Sequence, residues 1–249
     1  MTKLFSSASN SQHENRKRLL ALYRSTPIPP DELLVNLHLY MRSSVVAKML
    51  YVDELYRRIV KLPGVVMEFG VWWGANLALF ESLRAVYEPY NFTRRIIGFD
   101  TFAGYTPPED RDGKSDYVAE GAYSVSQGYK EYLEQLLDYH ESENALSQIK
   151  KIKLVEGDAG QTITHYLSDH PETIISLAYF DLQLYAPTKA CLEAIRPHLV
   201  KGSIIAMDEL NSTDFPGETI AFKEVFALES CRLLRSEFLP DRCYMVYGE

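Results

Sequence analysis

Five short apolar runs lie between residues 64 and 210, and they limit the possible folds more than any other feature of the sequence. They cover residues 64–71, 94–102, 152–159, 174–185 and 202–210. Near-continuous apolar runs of this length are typical of strands buried on both faces, as in parallel sheets covered by helices. The intervals leave room for crossover helices such as 76–88 and 187–199. The pattern predicts an α/β domain with a parallel sheet.

The segment before these runs has a different character. Residues 1–30 are polar and end in a proline-rich stretch, which predicts a flexible arm or an extended cap rather than a helix. From residue 31 to residue 62 apolar side chains recur at helical spacing, with Asp31 as the expected N-cap of one or two helices. We therefore expect an N-terminal arm and helical cap over residues 1–63.

The rest of the chain, residues 64–249, reads as one domain. Its last part predicts a helix over 217–229 and then two closely spaced segments that resemble a terminal hairpin. Residues 104–151 form a long polar excursion between the second and third runs, with a helix expected near 127–141. An excursion of this length is too long for an ordinary connection, so we expect it to act as a substrate lid.

Charge and composition narrow the function. The 249 residues include 34 acidic and 26 basic side chains, a formal net charge of −8, which argues against binding to nucleic acid. The three cysteines are widely spaced and suggest neither disulfides nor a zinc site. The sequence contains no signal-like segment and no apolar run near the roughly 20 residues of a spanning helix. The expected location is the cytoplasm, away from membranes.

Acidic residues mark the expected strand ends in all five apolar runs. They are Glu68, Asp100, Asp158, Asp181 and the pair Asp208 and Glu209. In an open parallel sheet, ligands bind at the carboxyl ends of the strands, where these acids would lie together. Any one of them alone is more often a helix cap or a solvated loop residue. Acids in register at five strand ends indicate a ligand that is polyhydroxylated or cationic, and S-adenosylmethionine is both.

The loop after the first run has the sequence EFGVWWGAN, which places Gly70 and Gly74 where the backbone turns or approaches a ligand. Neither the dinucleotide motif GxGxxG nor the phosphate-binding motif GxxxxGK[ST] occurs in the chain. Asp100 lies about 30 residues further on, at the position where an acid binds ribose hydroxyls. These observations favour S-adenosylmethionine over a nicotinamide cofactor.

Four segments together resemble the macrocin O-methyltransferase (TylF-type) family, which methylates sugar hydroxyls of natural products. They read PGVVMEFGVWWGANLA, IGFDTFAGY, VEGDAGQTI and YFDLQLYAPTKACLEAIRPHLVKGSIIAMDE, and the resemblance covers about residues 60–226. The motif EFGVWWG is also similar to that of calicheamicin-type rhamnosyl methyltransferases. The resemblance implies a class I methyltransferase (Rossmann-like) fold with seven strands, the last of them antiparallel.

The resemblance also implies roles for individual residues. Those expected to bind S-adenosylmethionine are Glu68, Gly70, Trp72 and Gly74 at the methionine end, Asp100, Thr101 and Phe102 at the ribose, Asp158 and Ala159 at the adenine, and Asp181. Those expected to hold Mg²⁺ and to carry the catalysis are Asp181, Asp208 and Glu209. The implied reaction transfers a methyl group to a sugar hydroxyl of a small glycosylated acceptor, in a natural product or a surface glycan. The implied assembly is a homodimer or a larger oligomer.

Two departures from the family pattern leave alternatives open. Gln183 stands where a carboxylate is common, and Glu209 stands where an aspartate is usual. An amide cannot accept a proton at neutral pH, so Asp181 is the first candidate for the base. One alternative is a non-catalytic protein that binds S-adenosylmethionine. Another is a nucleotide-sugar oxidoreductase, which the absence of GxGxxG disfavours.

Overall fold

One sheet of seven strands forms the centre of the protein in the computed structural model, which describes residues 8–249. The strands are β1 (Val65–Phe69), β2 (Ile96–Asp100), β3 (Ile152–Glu156), β4 (Ile175–Phe180), β5 (Leu199–Met207), β6 (Leu233–Arg235) and β7 (Cys243–Val246). Their spatial order is β3-β2-β1-β4-β5-β7-β6. Strands β1 to β5 pair in parallel, whereas β7 runs antiparallel to both β5 and β6. The predicted sheet with its antiparallel terminal hairpin is confirmed.

Helices cover both faces of this sheet. The helices are, in chain order, α1 (Asn10–Arg24), α2 (Pro30–Leu33), α3 (Ser43–Ile59), α4 (Ala75–Tyr87), α5 (Tyr129–Ser142), α6 (Ala159–Asp169), α7 (Tyr185–Ile195) and α8 (Pro216–Val225). Those from α3 to α8 pack on the sheet, whereas α1 and α2 bury no residue. The crossover helices and the helix of the long excursion that the sequence predicts correspond to α4, α7 and α5. Across residues 8–249, no helix has the length and apolar character needed to cross a membrane.

The prediction that the first 30 residues lack a helix is wrong for the part of that segment that the structure describes. Helix α1 begins with a capping box. The Ser9 hydroxyl accepts from the backbone N–H of Gln12, and Gln12 Oε1 accepts from the backbone N–H of Ser9. No residue of α1 is buried, so a local cap rather than an apolar face marks its start. The prolines follow only after this helix has ended. Asp31 is not an N-cap, because α2 begins one residue earlier, at Pro30.

Alternate residues of the central strands pack on opposite faces of the sheet. Val66, Leu177 and Ile204 share one apolar cluster, and Met67, Ala178 and Ile205 share the other. Helix α3 packs on the first face with five fully buried side chains at helical spacing, which are Tyr51, Val52, Leu55, Tyr56 and Ile59. Burial of a large apolar side chain stabilises a fold by about 1.5–3 kcal/mol. Helix α3 is therefore part of the domain core.

A buried arginine joins α3 to the start of the sheet. The guanidinium of Arg94 donates to the carbonyl oxygens of Ile59 at 2.8 Å and Leu62 at 2.7 Å. It also donates to the carboxylate of Glu88 at 2.9 Å and to the hydroxyl of Ser176 at 2.5 Å. With side-chain exposure of only 1%, Arg94 satisfies its charge through these protein groups. This network fixes the end of α3 against β4.

Candidate active site

The acids expected from the sequence lie at the carboxyl edge of the parallel strands. Strands β1, β2, β3, β4 and β5 lie side by side in this sheet, so their following loops meet along one edge. The loops after β1 and β4 come close at Gly70, where a Cβ atom would collide with the backbone carbonyl of Asp181. Gly70 also has a φ of +89°, which favours glycine. A residue without a side chain is therefore required at this position.

Glu68 is buried beneath the first loop. Its Oε1 accepts from the Asn76 amide at 2.8 Å, while its Oε2 has no hydrogen-bond partner within residues 8–249. Burial raises the pKa of Glu68 well above its usual value. A buried acceptor without a donor is costly unless a ligand or water supplies one. The amino group of S-adenosylmethionine is such a donor, so Glu68 fits the role expected for it.

The carboxylate of Asp100 holds the loops after β1 and β2 together. Its Oδ2 accepts from the backbone N–H groups of Val71 at 2.7 Å and Trp72 at 2.8 Å, and its Oδ1 accepts from Phe102 N–H at 2.6 Å. Both Trp72 and Phe102 have left-handed backbones, with φ values of 50° and 53°. Asp100 therefore stabilises two strained residues, a role that the sequence did not reveal. A carboxylate has about four acceptor positions, which leaves room for one ribose hydroxyl.

Two other residues expected at the cofactor form local contacts. The Thr101 hydroxyl donates to the carbonyl oxygen of Gly104 at 2.7 Å and accepts from Ala103 N–H at 3.1 Å, which stabilises the turn after β2. Asp158 is the N-cap of α6, because its Oδ1 accepts from the Gln161 amide at 3.1 Å.

Neighbouring positions differ in their exposure. Ala159 is buried in the apolar core, whereas Trp72 is 36% exposed at the edge of the sheet. Gly74, with a φ of +75°, is the N-cap of α4.

Asp208 is the centre of a charged network. It accepts a short hydrogen bond from the Tyr179 hydroxyl and another from Lys48 Nζ at 3.1 Å, and Arg242 Nε lies 2.6 Å from its Oδ1. Lys48 Nζ also donates to the Tyr179 hydroxyl at 2.7 Å. Burial alone raises the pKa of Asp208, but the charges of Lys48 and Arg242 outweigh it and hold the pKa below its usual value. Asp208 is therefore a fixed anion with two cationic partners.

The sequence analysis missed Lys48, Tyr179 and Arg242. Tyr179 lies within the apolar run of β4, and Arg242 lies between the two strands of the terminal hairpin. Lys48 offers one signal, because it is a single charge within the apolar stretch SVVAKMLYV of α3.

Asp181 and Glu209 flank this network. The amide of Gln183 is 3.5 Å from Asp181 Oδ1, a long contact. Burial and the charge of Asp208 raise the pKa of Asp181 well above its usual value. Burial also raises the pKa of Glu209 to about 7, with Asp208 and Asp241 acting in the same direction. Unlike Asp208, these two carboxyl groups are not stabilised as anions.

The structure does not support the expected magnesium site. Among the residues described, no three His, Cys, Asp or Glu side chains are grouped to hold a metal ion. The Asp208 carboxylate is already neutralised by Lys48 and Arg242, and a divalent cation at this position would be repelled by both. The set Asp181, Asp208 and Glu209 does not fit Mg²⁺ in this arrangement.

Residues 101–128 form a loop above the edge, with a single 3₁₀ turn at Asp110–Asp112. The loop folds back on itself, because Tyr105 exchanges backbone hydrogen bonds with Gly121 and Ala122 at 2.9 Å. The ring of Tyr123 contacts Trp72 edge-on, with 5.9 Å between ring centroids.

Two residues anchor this 101–128 loop to the helices beyond the sheet edge. Buried Asp112 accepts from the backbone amide of Tyr185 at 2.5 Å. Arg111 pairs with Glu224 of α8 at 2.7 Å, and its guanidinium lies over the Tyr185 ring. The loop is therefore positioned to cover the carboxyl edge.

The chain is similar to methyltransferases over nearly its whole length. The model of the macrocin-O-methyltransferase (TylF) family matches residues 47–225. The crystal structure of CalS11, a calicheamicin methyltransferase, is 44% identical, covers 98% of this chain and 96% of that chain, and has a TM-score of 0.96. The apo structure of CalS11, a TDP-rhamnose 3'-O-methyltransferase, is 43% identical, with 98% of each chain covered and a TM-score of 0.87.

A more distant structure shares the fold alone. The O-methyltransferase NovP is 15% identical, covers 81% of this chain and 79% of that chain, and has a TM-score of 0.59. No curated protein sequence matches the chain. The family match spans more than half of the chain, and methyltransferases of this fold use S-adenosylmethionine as methyl donor. The chain thus belongs to the macrocin-O-methyltransferase (TylF) family and is an S-adenosylmethionine-dependent O-methyltransferase.

Proposed function

We propose that this enzyme methylates a hydroxyl group of a nucleotide-linked deoxysugar in natural-product biosynthesis. The observation that carries the proposal is the 44% identity with a calicheamicin methyltransferase over 98% of the chain. CalS11 acts on TDP-rhamnose at the 3' oxygen, and TDP-rhamnose is therefore the first acceptor to test. The covered, acid-lined edge supports the proposal, because carboxylates accept hydrogen bonds from sugar hydroxyls.

In this proposal the residues at the ends of β1 and β2 hold the cofactor. Glu68 accepts from its amino group, Asp100 keeps the first loop in place and accepts from the ribose, and Asp158 with Ala159 borders the adenine. When bound, S-adenosylmethionine supplies an electrophilic methyl group on a positively charged sulfur.

Asp181 is the proposed base. The acceptor oxygen forms a bond to the methyl carbon while the carbon–sulfur bond breaks, and the hydroxyl proton passes to the Asp181 carboxylate. A carboxyl group with a raised pKa is a better proton acceptor in its ionised form than an ordinary one. General-base help of this kind contributes roughly 10²- to 10⁴-fold in rate.

Asp208 and Glu209 have different roles from the one implied for a metal site. Because Asp208 is paired with Lys48 and Arg242, it orders the edge beside the base rather than accepting a proton. Glu209, whose pKa burial raises to about 7, is the second proton acceptor to test. No step of the proposed reaction passes through Mg²⁺.

The test incubates the purified protein with S-adenosylmethionine and TDP-rhamnose and follows the product by mass spectrometry. The expected result is a product heavier by one methylene unit and an equal amount of S-adenosylhomocysteine. Asp181→Asn should lower kcat by about 10²-fold or more while it retains cofactor binding. Cofactor binding without methylation of any nucleotide-linked sugar would refute the proposed acceptor class.

A further inference from the structure

Three side chains near Asp181, two of them buried and the third half-buried, carry buried polar atoms with no hydrogen-bond partner within residues 8–249. The atoms are the hydroxyl of Tyr105, Oε1 of Gln183 and both carboxyl oxygens of Glu218. Glu218 is fully buried and Gln183 is 7% exposed. Buried polar atoms are nearly always paired in folded proteins, so a group of unpaired ones marks a place that something else completes.

These three residues come from separate elements that meet around Asp181. Gln183 follows β4, and its amide is 3.5 Å from the Asp181 carboxylate. Helix α8 begins directly against this segment, because a Cβ atom on Gly217 would lie 2.6 Å from the backbone nitrogen of Tyr185 and 3.2 Å from the carbonyl oxygen of Gln183. Glu218 is the next residue of that helix. The Asp181 carboxylate is close enough to raise the pKa of both Glu218 and Tyr105.

The surroundings select the chemistry of the occupant. Asp208 is a fixed anion, and its charge raises the pKa of Glu218, so an anionic group would be repelled here. Arg242 lowers the pKa of Glu218, but its guanidinium is already paired with Asp208. Burial raises the pKa of Glu218 well above its usual value, which favours a neutral carboxyl group that both donates and accepts. A neutral molecule with several hydroxyl groups matches these donors and acceptors.

We propose that Tyr105, Gln183 and Glu218 form the pocket that binds the sugar hydroxyls of the acceptor. The proposal rests on the proposed function, since it places the acceptor of that reaction beside Asp181. Glu218 binds one or two hydroxyls from the side of α8, Gln183 accepts from another, and Tyr105 closes the pocket from the 101–128 loop. Together they orient the reacting hydroxyl toward Asp181. They are acceptor-binding residues and do not contact the cofactor.

The test compares three variants with the wild-type enzyme. Glu218→Met removes both carboxyl oxygens at similar length, Tyr105→Phe removes only the hydroxyl, and Glu193→Gln changes an exposed carboxylate of α7 as the control. We measure KM for TDP-rhamnose, the Kd of S-adenosylhomocysteine by calorimetry, and Tm. Glu218→Met should raise KM about tenfold or more and Tyr105→Phe severalfold, while the Kd for S-adenosylhomocysteine stays within twofold. Glu218→Gln, which keeps an acceptor and a donor, should recover most of the loss.

The outcomes separate this pocket from the proposed reaction. Unchanged KM values in both variants, with only Tm altered, would show a structural role and overturn the pocket. If the wild-type enzyme methylates no sugar, the pocket is tested by binding alone. Calorimetry then measures the binding of TDP-rhamnose and TDP-glucose to the enzyme loaded with S-adenosylhomocysteine. Binding that Glu218→Met weakens supports the pocket although the proposed reaction fails. No binding of either sugar nucleotide overturns the pocket as well.

Discussion

Asp100→Asn is the most direct test of how the cofactor loop is held. The carboxylate accepts three backbone N–H groups, those of Val71, Trp72 and Phe102, at 2.6–2.8 Å. Asparagine has the same shape but only one oxygen, so its NH₂ group must face at least one of these donors. The substitution therefore leaves the size of the side chain unchanged and removes one or two hydrogen bonds.

The expected magnitude follows from these contacts. A hydrogen bond to a charged group contributes about 1.5–3 kcal/mol. The left-handed backbones of Trp72 and Phe102 cost roughly 1–3 kcal/mol each and persist only while their surroundings hold them. Because Trp72 and Trp73 of this loop are exposed while Val71 stays anchored in the apolar core, we expect the loss to appear mainly as a less ordered binding site. At about 1.4 kcal/mol for each factor of ten, affinity for S-adenosylmethionine should fall about 10- to 100-fold.

Calorimetry with S-adenosylhomocysteine measures this loss, and thermal unfolding checks that the sheet is intact. Asp169→Asn, at an exposed acid near the end of α6, serves as the matched control and should leave the affinity unchanged. An affinity of Asp100→Asn within threefold of the wild type would show that the three hydrogen bonds do not order the loop, and the reasoning would then be wrong.

Three further predictions concern charge. Lys48→Met should lower the free energy of unfolding at pH 7 by about 1–3 kcal/mol. The loss is smaller than for a fully buried pair, because Lys48 is 26% exposed and Arg242 remains beside Asp208. A double-mutant cycle with Asp208→Asn, measured by urea unfolding, should show positive coupling. The pKa of Asp208 in the folded state lies below its ordinary value of 3.8. The stabilisation from this ion pair is therefore fully present above pH 3.8 and is lost as the pH falls through the lowered pKa. Treatment with EDTA should leave methyl transfer within twofold, and a large loss that Mg²⁺ restores would contradict the charge pairing described for Asp208. Arg94→Met should cost about 3–5 kcal/mol because it leaves the buried Glu88 carboxylate without its counter-charge, and a fall in Tm of less than about 5 °C would argue against that network.

The sequence predicts the sheet well because its signals are local. Each apolar run and each helical spacing depends on neighbouring residues, and the strands and crossover helices lie close to where these patterns place them. The same patterns do not predict helix α1, because it buries no side chain and depends on the capping box at Ser9. A polar helix of this kind has no apolar period to detect.

The site is less predictable because its contacts are distant in sequence. The acids are visible as residues that follow apolar runs, but their partners come from elements whose relative positions periodicity does not give. Tyr179 looks like one more core residue of β4, and its hydroxyl is nevertheless bonded to Asp208. Asp158 shows the opposite case, because its contact with the Gln161 amide is the ordinary helix cap that its sequence position suggests.

The pairing of Asp208 has a consequence for how the chain reaches its working state. Lys48 precedes Asp208 by 160 residues, and Arg242 follows it by 34 residues, the difference between positions 242 and 208. During synthesis from the N-terminus, the strands that carry the acids can form before Arg242 has left the ribosome. Until then a buried carboxylate lacks one of its two counter-charges, which disfavours the closed arrangement of the edge. We therefore expect the reactive centre to reach its final arrangement only after the terminal hairpin has paired with β5.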